Sequence, residues 1–373
     1  MAASSRVALT RDQVLAFRAA VHELDGGHRG RPGILGVGIQ DNPPGRSARL
    51  ALAVRGRSVS ARSTALVHSV RGAMHLHHAD DLGRYAAAVR PDDGTEVSVQ
   101  SFGPFGPELA ADGISLGRAT DDVAAAMSTV MADGVPRTKG ELSGAVTPLV
   151  DQRIAPWCDG CGVHHVYDAL FRYATLQAAL TIDVESPTLF RFVPTTIDRR
   201  PDRDGSRVEI VRRYLRLAGP VQPAHLAAWL GLSPSGGRRW WTQVRDGLVE
   251  VTVGRRTGWV FADDLDDLRS SVDPPTVRLL GPYDPVTALG DRELLVPEPR
   301  RRREVWKATG NPGVLLVRGD ISGVWRQKTS GRRLTVTVQA FGELTAAERR
   351  LAGEDARVVA RHQGADDVET RFE

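Results

Sequence analysis

Between residues 207 and 261 the apolar positions change period twice, and this stretch orders the reading of the rest of the chain. Ile210, Val211, Tyr214 and Leu215 recur at helical spacing, and Gly219-Pro220 supplies the terminal glycine and the breaker that end the helix. Gln222-Pro223 opens a shorter helix that carries Leu226, Trp229 and Leu230 inward and closes at Gly231. A proline this early is tolerated because its missing N–H would have no intrahelical partner. Ser233-Pro234 caps a third helix bearing Arg238, Arg239, Trp240, Trp241 and Arg245. The period then drops to two in residues 248–253 and 259–261, which flank the turn Gly254-Arg255-Arg256-Thr257-Gly258.

Helix, helix-turn-helix, hairpin is the winged-helix order. In such a module the third helix lies in a DNA groove while the hairpin tip reaches phosphates, and Arg238, Arg239, Arg255 and Arg256 occupy those two places. A plainer account makes Trp229, Trp240 and Trp241 core residues and the tip arginines a solvated turn. Winged helices also serve as protein–protein modules.

The other segments read as variations on this unit. Thr10 and Gln13 form a capping-box pair for a first helix whose apolar face is Val14, Phe17, Ala20, Val21 and Leu24, ending at Gly26-Gly27. In the polar patch Gln40-Asp41-Asn42-Pro43, extended geometry places the amides of Gln40 and Asn42 on one face and Asp41 on the other. Helices are expected from Ser47, as N-cap, to about Val54 and again over residues 60–66. Two short extended pieces around Gly72 then make a wing, and Asp80-Asp81 starts the helix that leaves it. His68, His75, His77 and His78 fall within this wing without an acidic or thiol ligand spaced with them, so they read as partly buried or DNA-facing side chains.

A second unit spans residues 121–192. It has a helix stopping at Gly134, a capping box at Thr138 and Glu141, a helix over 164–180 in the recognition position and a wing strand at 189–193. A polar linker over 196–206 leads to the unit read first. Beyond Leu268 the pattern alternates, with strands expected at 277–280, 314–317, 321–325 and 334–338, a hairpin at Arg318-Gly319-Asp320, and a final amphipathic helix over 343–361. Between the strands, Arg301 and Arg302 belong to a basic run near Trp306 that suits phosphate as well as it suits a solvated helix face. The expected architecture is α+β: three tandem winged helices over 8–100, 101–198 and 206–270, then a small, barrel-like β-domain over 275–373.

A chain of 373 residues has ample material for two to four such domains. Its 41% hydrophobic and 25% charged residues are ordinary globular composition, and no run of about 18 apolar residues exists to span a membrane. The first six residues are not followed by an apolar run of the export type, so a cytoplasmic, nucleoid-associated protein is expected. Net charge is only +4, yet of the 49 basic residues only Lys139, Lys307 and Lys328 are lysines. Guanidinium forks onto phosphate, which suits nucleic acid, although codon bias accounts for most of such an excess. Two cysteines exclude a disulfide framework. Cys158 and Cys161, followed by His164 and His165, offer three or four zinc ligands, but such sites usually draw a second ligand pair from a distant segment. The alternative is a Gly-rich loop with Cys and Trp packed beneath the next helix.

Taken together, these segments support more than a fold class. The chain resembles the bacterial tandem winged-helix DNA glycosylases, the group that includes AlkZ and YcaQ, over essentially its whole length. The carriers are Leu9-Thr10-Arg11-Asp12-Gln13, Gly38-Ile39-Gln40-Asp41-Asn42, Arg71-Gly72-Ala73-Met74-His75-Leu76, Arg212-Arg213-Tyr214-Leu215 with Gly219-Pro220 and Trp229, and Asp284-Pro285 with Asp291-Arg292 and Gly319-Asp320 through Trp325-Arg326. The match lies in their order and spacing.

The resemblance implies a C-shaped cradle for duplex DNA and excision of N7-alkylated purines, including cross-linked ones, by a Gln-x-Gln or Gln-x-Asp motif. N7 alkylation makes the base a cationic leaving group, so the site has only to place a water and stabilise an oxocarbenium-like sugar, without metal or cofactor. Mapped here, the motif's first residue is Gln40 and its third is Asn42, a departure: Asn is one methylene shorter than Gln and lacks the charge of Asp. A shortfall of about an ångström can cost roughly a hundredfold, and Asp41 substitutes only if the strand twists to present it. Arg71, His75 and Arg326 join Arg238, Arg239, Arg255, Arg256, Arg301 and Arg302 as expected DNA contacts. No lysine lies in the motif, so no Schiff-base lyase step is expected. Two readings follow: a monomeric, monofunctional glycosylase acting on double-stranded DNA, or a non-enzymatic DNA-binding relative, a lesion binder or transcriptional regulator.

Overall fold

The structure, a computed structural model, describes residues 7–27, 30–31, 33–92, 94–98, 105–271 and 277–373. Residues 1–6, read above for export, and the expected domain limits at 100, 101 and 275 lie outside the described residues.

Capping chemistry places the helices where the sequence signals them. The Thr10–Gln13 box starts helix Arg11–Val21, the Thr138–Glu141 box starts Lys139–Val146, and Ser233 accepts the N–H of Gly236 to start Pro234–Thr242. Helices Arg203–Ala218 and Pro223–Leu230 end at Gly219 and Gly231, the latter left-handed at φ 69°. Strands Leu248–Val253 and Arg256–Phe261 complete that segment as an antiparallel hairpin. Trp229, Trp240 and Trp241 are buried, as the plainer account of them requires.

Two expected helices are strands or shorter than read. Residues 60–66 are a serine turn, with Ser60 and Ser63 hydrogen-bonded to each other, followed by strand Thr64–His68. That strand pairs with Met74–His78, which puts Leu66 opposite Leu76 and Val67 opposite His75. Ser47 is the first helical residue of Ser47–Ala53 and not its cap. The expected helix over 164–180 is Asp168–Gln177. Val163–His164 instead pairs with Trp157–Cys158 in a small hairpin, and Leu180 begins strand Leu180–Ser186, paired with Leu189–Pro194. Trp157 is exposed there, so it is not packed beneath the helix.

The packing crosses the sequence order. Strand Val7–Leu9 adds in parallel to Leu248–Val253, so the first helix packs on the hairpin near residue 250 through Val14, Phe17, Val251 and Val260. Residues 34–89 share one core with 210–261, in which Ile34, Ile39, Val67 and Tyr85 meet Tyr214, Trp229 and Trp240. The segment from Phe105 to Phe192 builds a further core around Leu116, Met127, Leu142, Phe171 and Phe192, which Leu66 of strand Thr64–His68 joins.

The C-terminal sheet has five strands in the order Val277–Leu280, Gly313–Val317, Asp320–Ser330, Arg333–Ala340 and Asp367–Phe372. It is antiparallel except at the last pair, which is joined through helix Ala346–Gln363. Its order does not close on itself, so it is a sheet and not a barrel, and its core reaches Leu50 and Val54 of the N-terminal part. No described helix is long and apolar enough to cross a membrane.

Candidate functional site

Gln40, Asp41 and Asn42 sit where strand Ile39–Gln40 leaves the wing sheet, with Gln40 opposite His75. Gly38 makes the approach feasible: its φ is 82°, and a Cβ there would lie 2.3 Å from the His77 ring. Ser47 Oγ then knits the motif, accepting the N–H of Asn42 at 2.7 Å and reaching Gln40 O and Asp41 Oδ1 at 3.2 Å. Asp41 is turned into the protein. Its carboxylate accepts the N–H groups of Gly45 (2.6 Å) and Ala48 (2.9 Å), the work of a helix cap.

The two amides remain at the surface side. Gln40 Oε1 accepts from Arg71 Nη2 at 2.9 Å, which leaves that carbonyl one lone pair. Asn42 is exposed and donates from Nδ2 to the Tyr283 hydroxyl at 3.1 Å, which turns its carbonyl oxygen away from that partner. Both line a cleft of about 330 Å³ whose other walls include His68, Met74, Lys139, Arg172 and Phe190. Lys139 and Arg172 both pair with Asp168, two cations on one carboxylate. Asn42 also borders a second groove of about 340 Å³, lined by Arg46 beside it and by Trp325, Arg326 and Gln363 of the C-terminal sheet and helix.

Tyr283 owes its place to the residue beside it. Asp284 forms a fully buried, two-pronged pair with Arg55 (2.7 and 2.8 Å) and caps helix Pro285–Leu289 through the N–H of Val286. Tyr283 itself is left-handed at φ 64°, a conformation side chains resist and active sites often retain. Sequence reading singled out Tyr283-Asp284-Pro285 and the capping-box segment that contains Lys139, but gave Tyr283, Lys139 and Arg172 no place at the site. The available signals were that Lys139 is one of three lysines and that Arg172 lies on the helix in the recognition position.

The expected DNA contacts divide into two groups. Arg238, Arg239, Arg255 and Arg326 are exposed. The others are engaged within the protein. Arg71 spans Gln40 and the carbonyl of Trp229, and burial lowers its pKa. His75 is buried with Nδ1 on Ala73 O, and burial holds it well below its usual pKa. His68, His77 and His78 are buried too, which corrects the DNA-facing alternative for the cluster. Arg256 pairs with Asp291 and Glu293. Arg301 pairs with Glu298 and lies over Phe341, and Arg302 donates to the carbonyls of Val296 and Pro297. Trp306 is covered by Arg292, not by the basic run before it.

At the Cys hairpin, Cys158, Cys161 and His165 bring their ligand atoms within 4.8 Å of one another. His164 stands apart, with Nδ1 on Ala155 O and its ring edge-on to Trp157. The four-residue ligand set read from the sequence is therefore a cluster of three.

Among solved structures, the chain is similar in fold to the Streptomyces sahachiroi DNA glycosylase AlkZ, with a TM-score of 0.72 at 21% identity, covering 98% of this chain and 100% of that one. Among curated proteins, it is 26% identical over 179 residues to an interstrand DNA cross-link repair glycosylase of the same organism. That alignment takes in 47% of this chain and 47% of that protein, so it spans about half the length of the curated relative. The family described as DNA glycosylase AlkZ-like matches residues 33–362. With that match running through the motif cleft, the helices behind it and the C-terminal sheet, the chain belongs to the AlkZ-like DNA glycosylase family.

Proposed function

We propose that this protein is a metal-independent, monofunctional DNA glycosylase that excises N7-alkylated purines, cross-linked ones included, from duplex DNA. The observation that carries the reading is the pair of amides, Gln40 and Asn42, bordering one cleft lined by Lys139 and Arg172. The three successive segments expected to be winged helices act as such, and the C-terminal sheet closes the cradle beside Asn42. Arg238, Arg239, Arg255 and Arg326 supply phosphate contacts, which position the duplex without reading sequence. Membership of the family and the cross-link repair named for the curated relative support the lesion class.

In this reading a water is held between the open lone pair of Gln40 Oε1 and the carbonyl oxygen of Asn42. The bond from C1′ to the cationic purine breaks with its electron pair going to the base, which leaves neutral. Water adds to C1′ and its surplus proton passes to solvent. The amide oxygens stabilise the positive sugar as it forms, and no general acid is required. Asp41, saturated by backbone N–H groups, holds the motif's shape and takes no part in holding the water.

The test is base release from duplex containing N7-methylguanine. Gln40→Ala and Asn42→Ala should each lower release by about 100-fold or more, the range for loss of one preorganised group at the reacting centre, with duplex binding retained. Salt-dependent duplex binding without release in the wild type would favour the non-enzymatic reading. The observation on that side is Asn42 itself, whose short amide already spends its NH2 group on Tyr283.

A further inference from the structure

The geometry points to a structural metal site on the hairpin that leads into helix Asp168–Gln177, with Cys158, Cys161 and His165 as ligands to one zinc ion. The turn between the cysteines is built for it. The carbonyl of Cys158 accepts the N–H of Cys161 at 3.2 Å and of Gly162 at 2.8 Å, and Gly162 is left-handed at φ 65°. This curls the chain so that both thiols, neither in a disulfide, face one point. Strand Val163–His164 then carries the chain back so that His165 joins them, all three ligand atoms within 4.8 Å. Around a tetrahedral zinc ion, ligand atoms lie on the order of 3.5–4 Å apart, so side-chain rotation alone closes the site. Two thiolates and an imidazole are a soft donor set that favours zinc over magnesium or calcium.

A second observation says why a metal belongs there. The hairpin has two residues per strand, and Trp157 and Val163, its large apolar side chains, are about half exposed. A hairpin of that size without a covering core is marginal in water, and small elements of this kind are held by a staple. Binding releases the thiol protons to solvent as both sulfurs become thiolates, and water fills the fourth position. The ion fixes the approach to Asp168, which holds Lys139 and Arg172 at the motif cleft. It takes no part in base excision.

The full chain should be purified reduced and without chelators, and its zinc measured. About one zinc per chain is expected, falling to background in Cys158→Ser and Cys161→Ser and unchanged in His164→Ala. If either cysteine variant fails to fold, cobalt titration of chelator-stripped wild type decides instead: a thiolate-to-cobalt charge-transfer band saturating at one equivalent supports the site. Reduced wild type that carries no zinc and gives no such band overturns the proposal, as does a Cys158–Cys161 disulfide in protein that takes up no metal. Loss of zinc in His164→Ala overturns the ligand assignment.

Discussion

Arg71→Met separates two accounts of a residue that the sequence assigned to DNA. In the structure its guanidinium donates to Gln40 Oε1 at 2.9 Å and to the carbonyl of Trp229, in the last turn of helix Pro223–Leu230. It reaches both from a left-handed backbone, φ 59° and ψ 20°, which costs a non-glycine residue roughly 1–2 kcal/mol. The bond to Gln40 is charge-assisted, worth about 1.5–3 kcal/mol, and it fixes the amide that is proposed to hold water. If that orientation is needed only as the sugar becomes cationic, its loss slows single-turnover base release by about 10- to 100-fold. The orphaned Trp229 carbonyl costs a further ~1–3 kcal/mol of stability, read as a lower urea midpoint. Duplex affinity and its dependence on salt should hardly change, because a half-buried guanidinium already held by two acceptors of the protein displaces no counterion. Release at the wild-type rate would refute the positioning role. A salt slope shallower by about one unit would put Arg71 on a phosphate after all.

Three other outcomes follow from the same geometry. Arg55→Met should destabilise the protein by about 3–5 kcal/mol, because it strands the Asp284 carboxylate in a site with no solvent access; a denaturation midpoint close to wild type would show that the pair is dispensable. Asn42→Asp restores the family's acid at the third motif position and should raise base release by about tenfold, and no increase in a folded variant would count against Asn42 as a water holder. Stability should fall as pH drops below 6.5. His22, His68 and His77 are pushed down to about 3 by burial, so the unfolded chain takes up protons that the native chain refuses. Each histidine contributes a slope of about 1.4 kcal/mol per pH unit between 6.5 and 3. Asp355, raised to about 6 by burial, acts in the opposite sense between about 4 and 6 and is outnumbered. A urea midpoint flat from pH 7 to 5 would contradict this.

What the sequence made legible was local chemistry. Thr10 with Gln13, Thr138 with Glu141, and Ser233 ahead of Pro234 are signals complete within four residues, and each helix begins there. The helix expected over residues 60–66 failed because pairing with Leu76 and His77 decided residues 64–68, and a partner strand lies outside any local window. Strand Asp367–Phe372 was missed for the same reason, since it pairs in parallel across an intervening helix. At the site, the shared face of Gln40 and Asn42 could be read from their spacing, whereas Tyr283 reaches Asn42 from 241 residues away. The arginines show the limit most clearly. With 45 acidic residues against 49 basic ones, most guanidiniums have a carboxylate within reach, and only the fold says which. Asp291 and Glu293 take Arg256, and Glu298 takes Arg301. Among the described residues Arg238, Arg239, Arg255 and Arg326 have no carboxylate partner and stay exposed. A net charge of +4 therefore says nothing of where unpaired guanidinium lies, and the fold leaves it at exposed positions such as these four, within reach of phosphate.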